Sequence, residues 1–128
     1  MELRQSIRAP HCDDIPSFSC HYQDTFYVFY CGTHCVKAFN KEGAFLFDIG
    51  SKGSGDGQMI HPSGLTIDKF NNVIVCDRGN GRLLAFEMDG KFINSVNEGM
   101  KEPCSVTLTK EGQLLVCDFI KNCIRCFQ

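Results

Sequence analysis

The stretch Pro62 to Phe86, PSGLTIDKFNNVIVCDRGNGRLLAF, returns without a gap as Pro103 to Phe127, PCSVTLTKEGQLLVCDFIKNCIRCF. Val75, Cys76 and Asp77 come back as Val116, Cys117 and Asp118, a constant offset of 41 (118 − 77). A fixed period of that size marks a chain of repeated supersecondary units, each with an apolar face that a neighbouring unit must cover. The unit has no helical segment. It reads as strand, short turn, strand, Asp/Gly turn, strand.

In the second repeat Leu65 to Asp68 is a first strand and Asn71-Asn72 its turn. Val73 to Cys76 is apolar throughout, so it needs cover on both faces of its sheet. Asn80-Gly81 suits the positive φ angles of a tight hairpin, and the Asp77 carboxylate is expected to accept turn amides. Leu83 to Phe86 is a third strand, and Lys91 to Val96 a more polar outer one, as an edge should be. The first repeat keeps this skeleton with Thr25 to Tyr30, Val36 to Phe39 and Ala44 to Ile49. Four-stranded units repeated radially are blades, so the fold class expected is all-β: a partial β-propeller of about three antiparallel blades. The repeats cover about 11–50, 58–96 and 99–128.

The third repeat reaches Phe127 with only three strands, while Leu3 to Ile7, within residues 1–10, sits where the outer strand of a preceding blade would lie. Three blades do not close a ring, and each terminal blade bares an apolar face. The isolated chain is therefore expected to associate, with a second copy or with further blades. In one version, Leu3 to Ile7 of one copy completes the last blade of another.

A net charge of −2 gives no general attraction to DNA, RNA or an anionic membrane. The longest apolar runs, such as Phe26 to Cys31, are too short to span a bilayer, and no signal-peptide pattern opens the chain. The expected location is cytoplasmic. Nine cysteines raise the question of disulfides or zinc. The number is odd, and Cys76 and Cys117 share one strand position where a small buried side chain suffices, so reduced structural cysteines are expected. The zinc candidates are Cys31, His34 and Cys35, then Cys123 and Cys126, then Cys12 and Cys20 beside His11 and His21. None forms two close pairs on tight turns, the usual source of four converging ligands.

The segment Gly50 to Gln58 is glycine-rich, but Lys52 precedes most of its glycines and a strand follows it. A phosphate loop needs a helix at that point, so a flexible connector between blades is the expectation. Histidines 11, 21, 34 and 61 fall in different parts of the repeats, and no catalytic motif accompanies them. Neither an enzyme nor a cofactor is expected.

These residues resemble the NHL repeat, whose blade runs Pro-x-Gly-Leu-x-x-Asp, then Asn-Val-x-Val-x-Asp, then x-x-Asn-x-Arg-Leu-x-x-Phe and Asp-Gly-x-Phe. The second repeat carries Pro62, Gly64, Leu65, Asp68, Asn72, Val73, Val75, Asp77, Asn80, Arg82, Phe86, Asp89, Gly90 and Phe92 in that pattern. In the first repeat Tyr30, Thr33 and Cys35 replace the Asp, Asn and Arg; in the third, Lys121 and Cys123 replace the Asn and Arg. The layout is most similar to the C-terminal half of the propeller in tripartite-motif NHL proteins. The resemblance implies a non-catalytic interaction module that recruits protein substrates to a RING-type ubiquitin ligase. The alternative it implies is an RNA-binding surface acting in post-transcriptional regulation.

The resemblance also implies that Asp77, Asn80, Arg82 and Asp118 are structural turn residues. Loops held by a rigid scaffold carry binding, which makes Tyr30, Thr33, Arg78, Phe119 and Lys121, with Lys52 and Lys101 in the linkers, the candidate contacts. Arg78, Phe119 and Lys121 would supply the cations and aromatic ring that RNA needs. No basic stripe joins them, so a protein partner is the main expectation.

Overall fold

A computed structural model of the chain describes residues 1–3, 5–7 and 16–128, and the strands below are those of the described residues. The first sheet contains β1 (Pro16–Tyr22), β2 (Thr25–Tyr30), β3 (Cys35–Asn40) and β4 (Phe45–Ile49), antiparallel and in chain order. A short parallel pair, β5 (Ser51–Lys52) and β6 (Gln58–Met59), forms the linker to the second sheet. That sheet holds β7 (Pro62–Ile67), β8 (Val73–Asp77), β9 (Arg82–Phe86) and β10 (Phe92–Val96). The third holds β11 (Pro103–Leu108), β12 (Leu114–Asp118) and β13 (Cys123–Phe127). The chain is an all-β partial propeller of three blades, the last with three strands.

Burial follows from stacking. Alternate residues of a strand point to opposite faces, so each blade has a face toward the preceding blade and one toward the next. Tyr27, Phe29, Val36 and Ala38 of the first blade meet Leu65, Val73, Val75, Leu84 and Phe86 of the second in one core. Ile74, Cys76 and Leu83, on the second blade's other face, pack with Val106 and Val116 of the third. Covered on both sides, β8 is buried at every position. That is the requirement its unbroken apolar run imposed.

The inner strand of the second blade begins at Pro62, three residues before the start expected from sequence. Each inner strand opens with a register irregularity, at Pro16/Phe18, Pro62/Gly64 and Pro103/Ser105. A bulge at a strand's first residue tolerates a proline that has no N–H to donate. Leu3 and Gln5 to Ile7 form no strand in the structure. They run beside the β3–β4 turn, where Gln5 donates from Nε2 to the Lys41 carbonyl at 3.2 Å.

The turns repeat with the blades. Asp68 Oδ1 accepts from the amides of Phe70 and Asn72, both at 2.9 Å, closing the turn into β8. Forty-one residues on (109 − 68), Thr109 Oγ1 accepts from the Gln113 amide at 3.0 Å. The turns into β3, β9 and β13 each place one residue in the left-handed region: His34 (φ 51), Gly81 (φ 64) and Asn122 (φ 52).

Candidate partner interface at the linker end

Strand register brings one end of every blade together: the starts of β1, β7 and β11, the turns into β3, β9 and β13, and the interblade linkers. Asp77 organises this end. Its side chain is fully buried, Oδ1 accepts from the Ile60 amide at 2.8 Å, and Oδ2 accepts from Asn80 Nδ2 at 2.9 Å and Arg82 Nε at 2.8 Å. The first of these donors belongs to the linker, so the expectation that Asp77 would gather turn amides is corrected. A buried carboxylate needs full compensation, and the turn's own side chains together with the incoming chain provide it.

Arg82 and Asn80 extend the grip. Arg82 Nη2 donates to the carbonyls of Gly55 (2.8 Å) and Gln58 (2.9 Å), and Asn80 Nδ2 to that of Gly53 (2.9 Å). The glycine-rich segment is thus a folded loop rather than a plain flexible connector. Met59 is sealed beneath it, and a side chain at Gly50 would strike the Met59 methyl group.

In the third blade Asp118 does the same work with different donors. Its carboxylate accepts from the backbone amides of Lys101 (2.9 Å), Glu102 (3.1 Å) and Lys121 (3.3 Å). Lys101 is the repeat equivalent of Ile60 (101 − 60 = 41). Main-chain donors replace the missing asparagine and arginine. Burial alone would raise the Asp118 pKa, but the three amides, with the charge of Arg125, outweigh it and hold the carboxyl below its ordinary value.

Where the first blade has Tyr30 instead of Asp, the ring is buried at 5% exposure, with the Lys37 ammonium 5.9 Å from its centroid. Tyr30 therefore belongs to the interior and not to the contact surface, a correction to the expectation. Lys37 in turn pairs with Asp48 at 2.7 Å across β3 and β4.

Adjacent blades are tied through their turns. His34 Nδ1 accepts from the His61 amide at 2.8 Å, and the two rings lie 4.6 Å apart. The sequence reading placed these histidines in separate parts of the repeats, and blade stacking joins them. One repeat further, Arg78 Nε donates to Glu102 Oε1 at 2.6 Å. Between these ties lies an open cleft of about 680 Å³, lined in part by Cys31, His61, Arg78, Lys101 and Glu102. Cys31, Arg78 and Phe119 occupy one repeat position in successive blades, and all three are exposed.

Of the expected contacts, Arg78 and Lys101 line the cleft, while Thr33, Phe119 and Lys121 are exposed on turns at the same end. Lys52 is exposed on β5, in the linker. Phe119 is 72% exposed, a large apolar side chain in water at a turn tip. The expectations missed His61 and Glu102. The signal available was position: each follows the linker residue whose amide a buried Asp holds.

Among the described residues, no group of three or more His, Cys, Asp or Glu side chains is placed to hold a metal ion. Cys123 and Cys126 lie on one strand, Cys35 is buried with its sulfur 3.3 Å from Thr33 Oγ1, and His11 and Cys12 fall outside the described residues. No helix among the described residues is long and apolar enough to cross a membrane.

Comparison with known proteins agrees with this architecture. A family model described as a 6-bladed beta-propeller matches residues 12–123. The chain is 35% identical over 81 residues to NHL-repeat-containing protein 4 of Homo sapiens, covering 62% of this chain and 66% of that protein. It is 35% identical over 92 residues to the E3 ubiquitin-protein ligase TRIM71 of Rattus norvegicus, covering 72% of this chain but 10% of the ligase. The solved structure of a streptogramin B lyase superimposes with a TM-score of 0.73 at 18% identity, over 90% of this chain and 38% of the lyase, a likeness of fold alone. The matched segments thus span a tenth to two thirds of these relatives' own lengths. Repeat period, blade topology and the Asp–Asn–Arg turn converge with these matches, and the chain belongs to the NHL-repeat family of six-bladed β-propellers.

Proposed function

We propose that this chain is a non-catalytic interaction module that binds a protein partner at the linker end of its blades and recruits it for ubiquitin transfer by a ligase. The observation that carries the reading is the cleft around Arg78. Its guanidinium is already matched by Glu102, and the same end of the blades adds the exposed ring of Phe119. Mixed polarity with an aromatic anchor suits a polypeptide ligand. Relatives named as ubiquitin ligases supply the cellular setting. The eight described cysteines are free thiols, the state a reducing compartment maintains, and the proposal places the chain in the cytoplasm.

Peptide display against the full chain tests the reading. Selected peptides should lose at least tenfold in affinity with Arg78→Glu or Phe119→Ser, and keep it with Phe70→Ser, a ring equally exposed on the turn into β8 at the blades' other end. Selection of no peptide, or peptides indifferent to Arg78 and Phe119, would count against it.

A second reading, single-stranded RNA, draws on the exposure of Phe119 and Lys121 on one turn. It requires binding that weakens with salt and falls in an Arg78→Glu, Lys121→Glu double variant.

A further inference from the structure

Two successive amides end each linker, those of Ile60 and His61 before β7 and those of Lys101 and Glu102 before β11. The Asp118 carboxylate accepts both of the later pair, at 2.9 and 3.1 Å. Asp77 accepts only that of Ile60, because its second oxygen is committed to Asn80 and Arg82. The His61 amide turns instead to the preceding blade and donates to Nδ1 of His34 at 2.8 Å. A part-buried amide needs an acceptor, and an imidazole nitrogen accepts only while it is unprotonated.

The position of His34 in its blade brings this contact about. His34 holds φ 51, and its counterparts in the later turns are Gly81 and Asn122. A Cβ at Gly81 would lie 3.1 Å from the carbonyl oxygens of Met100 and Lys101, in the linker to the third blade. This turn position therefore abuts the linker to the next blade, and the first blade fills it with an imidazole only 6% exposed. With Nδ1 accepting, the neutral ring carries its proton on Nε2. Among the described residues, the titratable and charged groups around the contact come from every neighbouring element. The linker supplies the His61 ring, 4.6 Å away, and the first blade's own turn Cys31 and Cys35. The second blade supplies Asp77, behind Ile60, and Arg78; the linker to the third blade supplies Lys101 and Glu102 across the cleft.

We propose that His34 is a pH-sensitive latch between the first and second blades. Neutral, it fastens the linker at His61, which lines the cleft. Protonated, its Nδ1 becomes a donor aimed at another donor, and the His61 amide is released. The added charge also stands against the His61 ring. An unperturbed imidazole changes charge near about pH 6.5, so the latch is closed at neutral pH and opens as acidification passes through and below that range. The inference is independent of which ligand the linker end takes.

Amide hydrogen exchange followed by NMR on the full chain tests it, with rates corrected for the intrinsic effect of pH. Between about pH 7.5 and about pH 5 the His61 amide should lose at least tenfold in protection, while the Ile60 amide, held by a carboxylate, stays protected. His34→Asn puts a non-titrating acceptor in the same turn, the residue type that Asn122 supplies in the third blade, and should make His61 protection independent of pH. His61→Asn keeps the amide and should retain the loss. Imidazole nitrogen shifts should show Nδ1 of His34 unprotonated at neutral pH, and circular dichroism verifies the fold at each pH. Constant protection at His61 in the unaltered chain, an equal loss at Ile60, or the same pH response in His34→Asn would overturn the latch.

Discussion

Asp77 and Arg82 face each other across β8 and β9, Oδ2 to Nε at 2.8 Å, with the carboxylate sealed from water and the guanidinium nearly so. The pair closes the turn, and the arginine continues outward to hold the linker that delivered the chain to this blade. Removing one member of such a pair leaves the other as an uncompensated interior charge. Arg82→Ala should destabilise the fold by roughly 3–5 kcal/mol, and Asp77→Ala by a similar amount. Urea unfolding followed by circular dichroism measures both; a loss below about 1 kcal/mol in each would mean that the pair matters little.

Asp118 predicts a dependence on pH. Its folded-state pKa lies below the ordinary aspartate value, so the ionised form is favoured by folding. That contribution is fully present above the unfolded value of about 3.9 and fades as pH falls through the lower folded value. Wild type should therefore exceed Asp118→Asn in stability at neutral pH, with the gap narrowing under acid. Parallel melting curves from neutral pH to below about 3.9 test this. A gap that stays constant or widens toward acid contradicts the assignment.

Burial pushes the Cys76 thiol well above the usual cysteine range, whereas Cys31 sits exposed at the cleft. The thiolate is the species that alkylates. In native buffer iodoacetamide should modify Cys31 rapidly and spare Cys76 until the chain unfolds. Peptide mapping by mass spectrometry reads both sites in one sample, and equal labelling rates would place Cys76 nearer solvent than described.

A methyl group at Gly79 would come within 2.7 Å of the Ile60 carbonyl oxygen, whereas one at Gly99 meets nothing within 4 Å. Gly99 does hold φ +74, which costs a side chain about 1–2 kcal/mol by itself. Gly79→Ala must instead displace the linker from its turn, breaking the Gly79 amide bond to Ile60 at 2.8 Å. Loss of that bond and the steric clash together should cost roughly 2–4 kcal/mol. Amide hydrogen exchange gives a second readout: protection of the residue-79 amide, the donor of that bond, should fall in Gly79→Ala and persist in Gly99→Ala.

The blade order was legible because the second repeat carries both kinds of information at once. Its apolar runs mark the strands, and Asp77, Asn80 and Arg82 mark the turn between them. The 41-residue offset then carried the assignment to β12 and β13 even though Lys121 and Cys123 had replaced two of the turn residues. What eluded the sequence was whatever depends on a neighbouring blade. Asp77 reaches the Ile60 amide, 17 residues earlier, and His34 reaches His61, 27 residues later. Neither separation matches a local periodicity. Tyr30 was misplaced for a related reason: the turn position it fills is polar in the other repeats, and its packing with Phe39, beside Phe26, Val28 and Lys37, makes it interior. Pro62 hid the true start of its strand because proline and glycine punctuate more often than they pair.

Asp118 takes its hydrogen bonds from main-chain amides, so the corner is closed without the side chains of Phe119, Ile120 and Lys121. Phe119, Ile120 and Lys121 are thereby released to vary. A scaffold that secures its corner with peptide groups alone can exchange the letters on its rim from one descendant to the next, acquiring new recognition without renegotiating its architecture.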